Sequence, residues 1–414
     1  LGPHSKGDDH RPEEEKERIA NRDPLLALAN QLDSKKREEI EGVNRAYLES
    51  LANELVLAPE PDEQETSFPP EKSAPIGEYS LARKEGSVRD QINHALHSLL
   101  ERDEKALLIG EDLHDPYGGA FKVSKGISNA FPERSVSTPI SEAGIIGVGI
   151  GLALAGYKPI VEIMFADFLS LCIDQLYNQA VKLPWLGREK EFHMVVRTPG
   201  GGHRGYGPTH SQCVESLLMP IPGLTLVAPS HRHHVGELLC ASLQAYGPVV
   251  FMENKLLYDV VCEEGDYETV PASVSDLSSE FFPTLVSQDV SEPDLTLVAF
   301  GGNVPLAEQV AERLREEEEL TVALVLPSLL SPVPHDTLFS ALRGHSSLVF
   351  LEESPTQGSF SSEAIAGLVE RGVRAESVLR IGAKPMPIPA ARNLERVVLP
   401  QVDSVIEQIF EAFD

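Results

Sequence analysis

Short apolar runs alternate with amphipathic segments along the chain from Ser87 onward. Val88–Leu100 carries apolar residues at helical spacing, and Ala106–Ile109 is a continuous apolar run typical of a buried strand. The same reading predicts helices and strands further on, at Arg134–Ser137 (strand), Glu142–Gly156 (helix), Ile160–Phe165 (strand), Ile173–Val181 (helix), Met194–Arg197 (strand) and Thr225–Ala228 (strand). Strands that alternate with helices predict an α/β fold with a parallel sheet covered on both faces.

A second alternation begins near Leu295 and predicts a smaller α/β domain. Its elements are a strand, a helix and two more strands, at Thr296–Phe300, Pro305–Leu314, Val322–Leu326 and Leu348–Leu351. Between strand and helix, Gly301-Gly302-Asn303 resembles a phosphate-binding loop only weakly, and the favoured interpretation is a tight turn.

The N-terminal part, before Ser87, lacks this alternation of apolar runs and amphipathic segments. Apolar residues recur at helical spacing over Pro24–Leu57, and Asp23 followed by Pro24 predicts a capped helix start. Proline and glutamate dominate the next stretch, which reads as a linker. We therefore divide the chain into residues 1–58, a linker at 59–86, a first α/β domain at 87–275 and a second at 276–414.

Composition narrows the function class. The 414 residues carry a formal net charge of -29, which argues against nucleic acid or an anionic membrane as partner. The longest apolar run, Ala143–Tyr157, is about 15 residues, shorter than the roughly 17–25 that span a bilayer. Four cysteines without metal or framework spacing predict reduced thiols in a cytoplasmic protein.

Two carboxylates stand where parallel sheets place functional groups, at the carboxyl ends of strands. Glu111 follows the strand that ends near Gly110, and Glu142 begins the apolar, glycine-rich helix. A carboxylate that leaves water there is costly unless it holds a useful proton, which is how an enzyme prepares a general acid. The alternative is a carboxylate satisfied by the helix N-terminus or by solvent.

A long glycine-rich segment, Arg197–Gln212, follows a predicted strand and ends near His210. Its glycines allow close approach of backbone to a ligand, and His210 is a candidate donor to a developing oxyanion. The alternative is a solvated loop histidine. His231, His233 and His234 lie near a helix start without acidic or cysteine partners in sequence, so no metal site is predicted there.

Several motifs occur together in a familiar order. They are Gly110-Glu-Asp, Gly118-Gly-Ala-Phe-Lys-Val-Ser-Lys-Gly126, Thr138-Pro-Ile-Ser-Glu142, Phe165-Ala-Asp-Phe168, Asp174-Gln175, Thr209-His-Ser-Gln212 and Pro248-Val-Val-Phe-Met-Glu253. The chain from about Ser87 to 414 resembles the beta subunit of the decarboxylase component of 2-oxo acid dehydrogenase complexes. The motifs look closer to the branched-chain type than to the pyruvate type. The resemblance implies a transketolase-like pyrimidine-binding domain that binds thiamine diphosphate, followed by a transketolase-type C-terminal domain.

The first residues resemble another subunit. Gly2–Asp9 and Arg22–Pro24 look like the C-terminal part of the alpha subunit, beginning in its active-site loop. This implies an alpha–beta fusion that has been cut or divided near Leu1. The alpha body of the family binds magnesium diphosphate through a Gly-Asp-Gly…Asn motif, which this sequence lacks. We therefore expect a heterotetramer of two such chains with two alpha bodies.

The resemblance also implies residue roles. Glu142 matches the glutamate that hydrogen-bonds the pyrimidine ring and switches it to its imino form, and Phe168 matches the aromatic that packs on that ring. Ile140 and Glu111 match further neighbours of the cofactor. His210 matches the histidine expected near the substrate carboxylate and the acyl intermediate.

Four other positions carry expectations from the family. His4 matches the alpha-subunit loop histidine beside the cofactor, and Ser5 matches a regulatory phosphorylation position in some relatives. Gln244–Pro248 lacks the Asp and Asn with which many relatives build a potassium site, which argues against potassium here. Leu171 replaces a polar neighbour known in the pyruvate type.

Three functions remain open from the sequence. The first is oxidative decarboxylation of a 2-oxo acid, with acyl transfer to the lipoyl group of an acyltransferase. The second is a thiamine-dependent carboligase that makes an acyloin without a lipoyl partner. The third is a noncatalytic assembly subunit, against which the presence of Glu142 and His210 counts.

Overall fold

A computed structural model describes residues 11–58, 85–187, 191–271, 281–288, 290 and 292–413 of the chain. It forms two compact units, Leu1–Ser67 and Phe68–Asp414. His4 and Ser5 lie outside the described residues. None of the helices in the described ranges combines the length and apolarity needed to cross a bilayer.

In its described residues the first unit contains three helices, α1 (Glu13–Ala20), α2 (Pro24–Ala29) and α3 (Ser34–Leu57). The predicted cap is confirmed, because Asp23 accepts a hydrogen bond from the Leu25 N–H at 2.8 Å. The helical pattern of Pro24–Leu57 is divided by a break at residues 30–33. A second cap restarts the helix there, with Asp33 accepting from the Lys36 N–H at 2.9 Å.

The second unit contains thirteen strands in its described residues. They are β1 (Ala106–Gly110), β2 (Ser135–Ser137), β3 (Lys158–Glu162), β4 (His193–Gly200), β5 (Thr225–Val227), β6 (Gly247–Asn254), β7 (Tyr267–Thr269), β8 (Thr284–Ser287), β9 (Leu295–Ala299), β10 (Val322–Pro327), β11 (Leu329–Ser331), β12 (Ser347–Leu351) and β13 (Ser377–Ile381). The α-helices are α4 (Val88–Arg102), α5 (Ile127–Ala130), α6 (Glu142–Leu154), α7 (Leu183–Leu186), α8 (Glu215–Leu218), α9 (Val235–Gln244), α10 (Val304–Glu318), α11 (His335–Leu342), α12 (Phe360–Glu370), α13 (Arg392–Val398) and α14 (Val402–Phe413).

The strands form two sheets. The first has the order β11-β5-β6-β4-β3-β1-β2, and the second has the order β13-β12-β9-β10-β8-β7. All pairs in the first sheet are parallel except β11 with β5, and β8 is antiparallel to both β10 and β7 in the second. The predicted parallel α/β architecture is confirmed, with antiparallel strands at the edges.

The first sheet is buried on both faces. Leu107 and Ile109 of β1 face the cluster that contains Ile145 and Ile146 of α6, whereas Leu108 faces the cluster built by α4 and α9. Because side chains alternate between the faces of a strand, burial on both faces requires the continuous apolar run seen in the sequence. The carboxyl ends of these parallel strands are therefore held at fixed positions along one edge of the first sheet.

Several elements differ from their predicted form. β3 ends at Glu162 instead of Phe165, and the predicted helix near Ile173 is replaced by a 3-10 helix at Ala166–Cys172 and a π-helix at Gln175–Ala180. The two sheets also do not follow the predicted division at 275/276. β7 precedes that point but joins the second sheet, and β11 follows it but joins the first.

Candidate active site

Two carboxylates meet at the carboxyl edge of the first sheet. Glu111 directly follows β1, and Glu142 begins α6 just after the neighbouring parallel strand β2, in which Ser137 pairs with Gly110. Their residues are only 8% and 9% exposed. Within the described residues, neither carboxylate has a hydrogen bond or an ion pair. Burial and then the negative charge of Glu142 raise the pKa of Glu111, so this pair disfavours a second negative charge.

The position of Glu142 is fixed by the packing of α6. Ile145, Ile146 and Ile150 of this helix are buried in the core. A Cβ atom at Gly149 would lie 2.7 Å from Val161 of β3, so only glycine allows the helix this close to the sheet. The cap residue, Ser141, forms no side-chain cap hydrogen bond. The Glu142 carboxylate also accepts no hydrogen bond from the first turn of α6 within the described residues, so it is not satisfied as a local helix cap.

An aromatic cluster lies on the same edge, beyond β3 and β4. The imidazole of His210 stands edge-on to Phe165, with ring centroids 4.6 Å apart, and to Phe168, at 5.3 Å. Phe168 packs on the core cluster that also contains Ile145. The structure thus brings together Phe168 and His210, two of the residues singled out in the sequence.

Cys172 contacts the aromatic cluster and lies close enough to Glu142 to be affected by its charge. The thiol of Cys172 donates to the carbonyl oxygen of Phe168 at 3.7 Å. Burial and then the charge of Glu142 raise the pKa of this thiol to about 12. Cys172 is therefore a neutral thiol at neutral pH, and not a nucleophile. None of the four cysteines forms a disulfide bond in the described structure.

Ile140 is 81% exposed although it lies two residues before Glu142. Leu171, on the 3-10 helix, is 57% exposed. Isolated exposed apolar residues are common on protein surfaces. Beside two partnerless carboxylates, the Ile140 side chain offers an apolar contact to a ligand or to a second polypeptide.

Beneath the site lies a buried ionic network that the sequence reading missed. Arg197 of β4, 1% exposed, donates to Glu162 at 2.9 Å and to Glu253 at 2.7 Å and 2.9 Å. Glu253 also accepts from the Tyr258 hydroxyl at 2.6 Å, and Glu162 accepts from the Ala120 N–H at 2.7 Å. The available sequence signal was the presence of three charged residues inside apolar strand runs, which rarely lose water unless they are paired.

Lys255 is a second group that the sequence reading missed. It is fully buried, its Nζ donates to the backbone oxygen of His210, and burial lowers the pKa of its ammonium group. Asp167 accepts from the Gln212 N–H at 3.2 Å, and burial raises the pKa of that carboxyl. Together these contacts hold the backbone at His210 and at Gln212, two residues further on.

The other sequence candidates lie elsewhere. Gly301–Asn303 forms a single 3-10 turn, as predicted. The prediction that the histidines near α9 have no acidic partners is wrong, because the fold brings acidic residues from other parts of the chain beside two of them. His231 lies 3.3 Å from Glu308, and His234 lies 2.9 Å from Glu264. Among the described residues, no three His, Cys, Asp or Glu side chains are grouped to hold a metal ion.

Known families match both domains. Residues 84–260 match the transketolase pyrimidine binding domain, and residues 285–405 match the transketolase C-terminal domain. Among solved structures, a split-gene transketolase beta4 tetramer superposes with a TM-score of 0.59 at 19% identity, covering 80% of this chain and 98% of that one. A transketolase from Leishmania mexicana gives 0.56 at 17% identity, covering 80% and 46%. These structures confirm the fold.

Curated relatives are more similar in sequence. The mitochondrial pyruvate dehydrogenase E1 component subunit beta-1 of Arabidopsis thaliana is 35% identical over 334 residues, which cover 79% of this chain and 89% of that protein. The corresponding subunit of Saccharomyces cerevisiae is 30% identical, covering 84% and 94%. The beta subunit of the acetoin:2,6-dichlorophenolindophenol oxidoreductase of Bacillus subtilis is 32% identical, covering 78% and 96%. With two transketolase-type domains and this degree of identity along nearly the whole of its relatives, the chain belongs to the family of pyruvate dehydrogenase E1 beta subunits.

Proposed function

We propose that this chain is the beta part of a thiamine-diphosphate-dependent 2-oxo acid decarboxylase that passes its acyl group to a lipoyl group. The observation that carries the proposal is the pair Glu111 and Glu142, two buried carboxylates that have no partner among the described residues and lie at one edge of the sheet. Family membership supports the cofactor, because the matched domain is the pyrimidine-binding one.

The residues fit a flat, nitrogen-containing ring. When bound, thiamine diphosphate supplies a carbon nucleophile that adds to the 2-oxo group and holds the electrons left by carbon dioxide. The Glu142 carboxyl group would form a hydrogen bond with a ring nitrogen and exchange a proton with it, since a buried carboxyl group needs such a partner. Phe168 and Ile140 give the ring apolar contacts, and Glu111 supports proton transfer beside Glu142.

A second polypeptide completes the site in this proposal. The magnesium ion and the diphosphate are held by an alpha-type partner that carries the Gly-Asp-Gly…Asn motif, in a heterotetramer. The exposed Ile140 is consistent with a contact outside this chain. Residues 1–58 are proposed to be an alpha-type tail, with His4 beside the cofactor.

The test is Glu142→Gln in the chain assembled with its alpha-type partner. Glutamine keeps the size of the side chain but cannot give up a proton, so decarboxylation should fall at least 100-fold while the thermal unfolding midpoint stays the same. Glu237→Gln is the matched control, because Glu237 also lies in the first turn of a helix, α9, but its side chain is 45% exposed. Turnover like that of the wild type in Glu142→Gln would refute the proposed role.

The substrate is proposed to be a branched 2-oxo acid. The motifs at Gly118 and Phe165 and the apolar Leu171 support it, whereas the curated relatives named above are pyruvate and acetoin proteins. Assays with pyruvate and with a branched 2-oxo acid, each at limiting concentration, compare the two kcat/KM values directly. A higher value for pyruvate would reject the branched-chain type and leave the decarboxylase proposal in place.

The name of the acetoin relative supports one second candidate, a thiamine-dependent carboligase that makes an acyloin without a lipoyl partner. The two functions differ in the acyl acceptor. Assays with a lipoyl domain and with acetoin plus dichlorophenolindophenol separate them. A cofactor titration of the same assembly distinguishes both from a noncatalytic subunit, which would bind no thiamine diphosphate.

A further inference from the structure

The glycine-rich loop at residues 200–212 is held by the second domain. Glu353, two residues after β12, accepts a hydrogen bond from the Gly202 N–H, and Glu395 of α13 accepts one from the Gly205 N–H at 3.0 Å. The two carboxylates belong to residues that are 5% and 2% exposed. Two acidic residues of one domain thus reach the backbone of a loop that starts in the other.

These carboxylates have no cation of their own. Within the described ranges, neither Glu353 nor Glu395 forms an ion pair. Besides Gly202, Glu353 accepts only from the Asn254 side chain at 3.3 Å, and one carboxyl oxygen of Glu395 has no hydrogen-bond partner. Burying a carboxylate with so few donors is unfavourable, so these two positions are not explained by the stability of their own domain.

The second domain also packs closely against the backbone of this loop. A Cβ atom at Gly202 would lie 2.6 Å from Leu399 of the second domain. Beyond Gly205 the chain continues to His210, whose backbone oxygen accepts from Lys255. The loop is therefore fixed at its start by Glu353 and Glu395 and at its end by Lys255. The imidazole of His210 packs against Phe165 and Phe168.

We infer that Glu353 and Glu395 are positioning residues that hold the loop so that His210 faces the active site. They touch no reacting atom, and act through the backbone of Gly202 and Gly205. The second domain thereby contributes to the chemistry of the first. The kinetic part of this inference rests on the proposed function, whereas the structural part does not.

Hydrogen exchange tests the structural part in the full chain with its partner. Glu395→Ala removes the acceptor for Gly205, so the amide protons of peptides within residues 200–212 should exchange at least 10-fold faster. Glu395→Gln keeps an acceptor oxygen and should restore most of the protection. Glu352→Gln is the matched control, because Glu352 is 1% exposed in the same domain but binds Ser359 at 2.6 Å instead of the loop. Unchanged exchange in Glu395→Ala would overturn the inference.

A double-mutant cycle tests the kinetic part. Glu395→Ala alone should lower acyl transfer about 10-fold, but less than 2-fold when His210 is already alanine, because the two changes remove one function. If Glu395→Ala lowers acyl transfer by the same factor whether position 210 is histidine or alanine, the effect is a general structural one and the positioning role is rejected. If the wild-type assembly has no thiamine-dependent activity at all, the proposed function fails, and the exchange experiment still decides whether the loop is held.

Discussion

At the scale of single residues, neighbouring side chains orient the imidazole ring of His210. Its Nδ1 lies 2.8 Å from the Thr209 hydroxyl, and its Nε2 has no hydrogen bond among the described residues. When the hydroxyl donates to Nδ1, the proton of the neutral ring is on Nε2. That N–H can then donate to an oxygen that gains negative charge during acyl transfer. The aromatic edges of Phe165 and Phe168 hold the ring plane.

The corresponding prediction concerns His210→Ala. Loss of this donor should lower acyl transfer to a lipoyl domain about 100-fold, while the dissociation constant for thiamine diphosphate changes less than 3-fold. Stopped-flow transfer rates and cofactor titration measure the two quantities separately. Thr209→Val keeps the ring and removes only its hydroxyl partner, so it should lower the transfer rate less than His210→Ala does. A loss of cofactor affinity as large as the loss of rate would contradict this division of roles.

At the scale of elements, the Arg197 network joins three strands and one loop. Glu162 ends β3, Arg197 lies in β4, and Glu253 lies in β6, so the network spans adjacent strands of the sheet. Glu162 also accepts from the Ala120 N–H and the Ser124 hydroxyl, at 2.7 Å and 2.9 Å. The loop beside Glu111 is thereby fixed to the sheet by a buried carboxylate.

Arg197→Met should destabilise this region strongly. The change leaves two buried carboxylates without their cation, which typically costs about 3–5 kcal/mol of unfolding free energy. Urea denaturation of the full chain measures it. The control is Arg313→Met, whose exposed ion pairs with Asp403 and Glu317 should contribute nothing measurable. Equal unfolding midpoints for the two variants would show that the network is not a stabilising element.

At the scale of the whole molecule, the seam between the two domains contains a buried acid. Glu215 begins α8 and lines a cavity of about 20 Å³ together with Asn254 of the first domain and Asn303 and Glu353 of the second. One of its carboxyl oxygens has no hydrogen-bond partner in the described structure. Burial, followed by the charges of Glu353 and Glu352, raises the pKa of Glu215 from 4.5 to about 7.

This predicts a pH dependence of stability with a definite sign. Between pH 4.5 and about 7 the folded chain keeps a proton on Glu215 that the unfolded chain has lost. Stability therefore falls as pH rises through this window, by up to about 3 kcal/mol. Glu215→Gln cannot titrate, so it should gain stability relative to wild type from pH 5 to pH 7.5. Unfolding free energies in urea at several pH values measure the difference. Parallel curves for the two proteins would reject the shifted pKa.

Much of this architecture was predictable from local sequence. Hydrophobic periodicity predicted α4, β1 and α6, because a core-facing stripe or a buried strand repeats within a few residues. The Asp23 cap was predictable for the same reason, since a cap acts on the next turn. Glu111 and Glu142 were found because strand ends and helix starts can be read along the chain. Their roles stay proposals until the variants are measured.

Only the tertiary structure decided which distant groups meet. Glu353 is 151 residues from Gly202, and Glu253 is 56 residues from Arg197, so no local pattern pairs them. The π-helix at Gln175–Ala180 and the crossing of β11 into the first sheet likewise depend on neighbours far along the chain. The physical reason is that apolar periodicity is a short-range property, whereas a buried charge is stabilised only by partners that the completed fold places beside it.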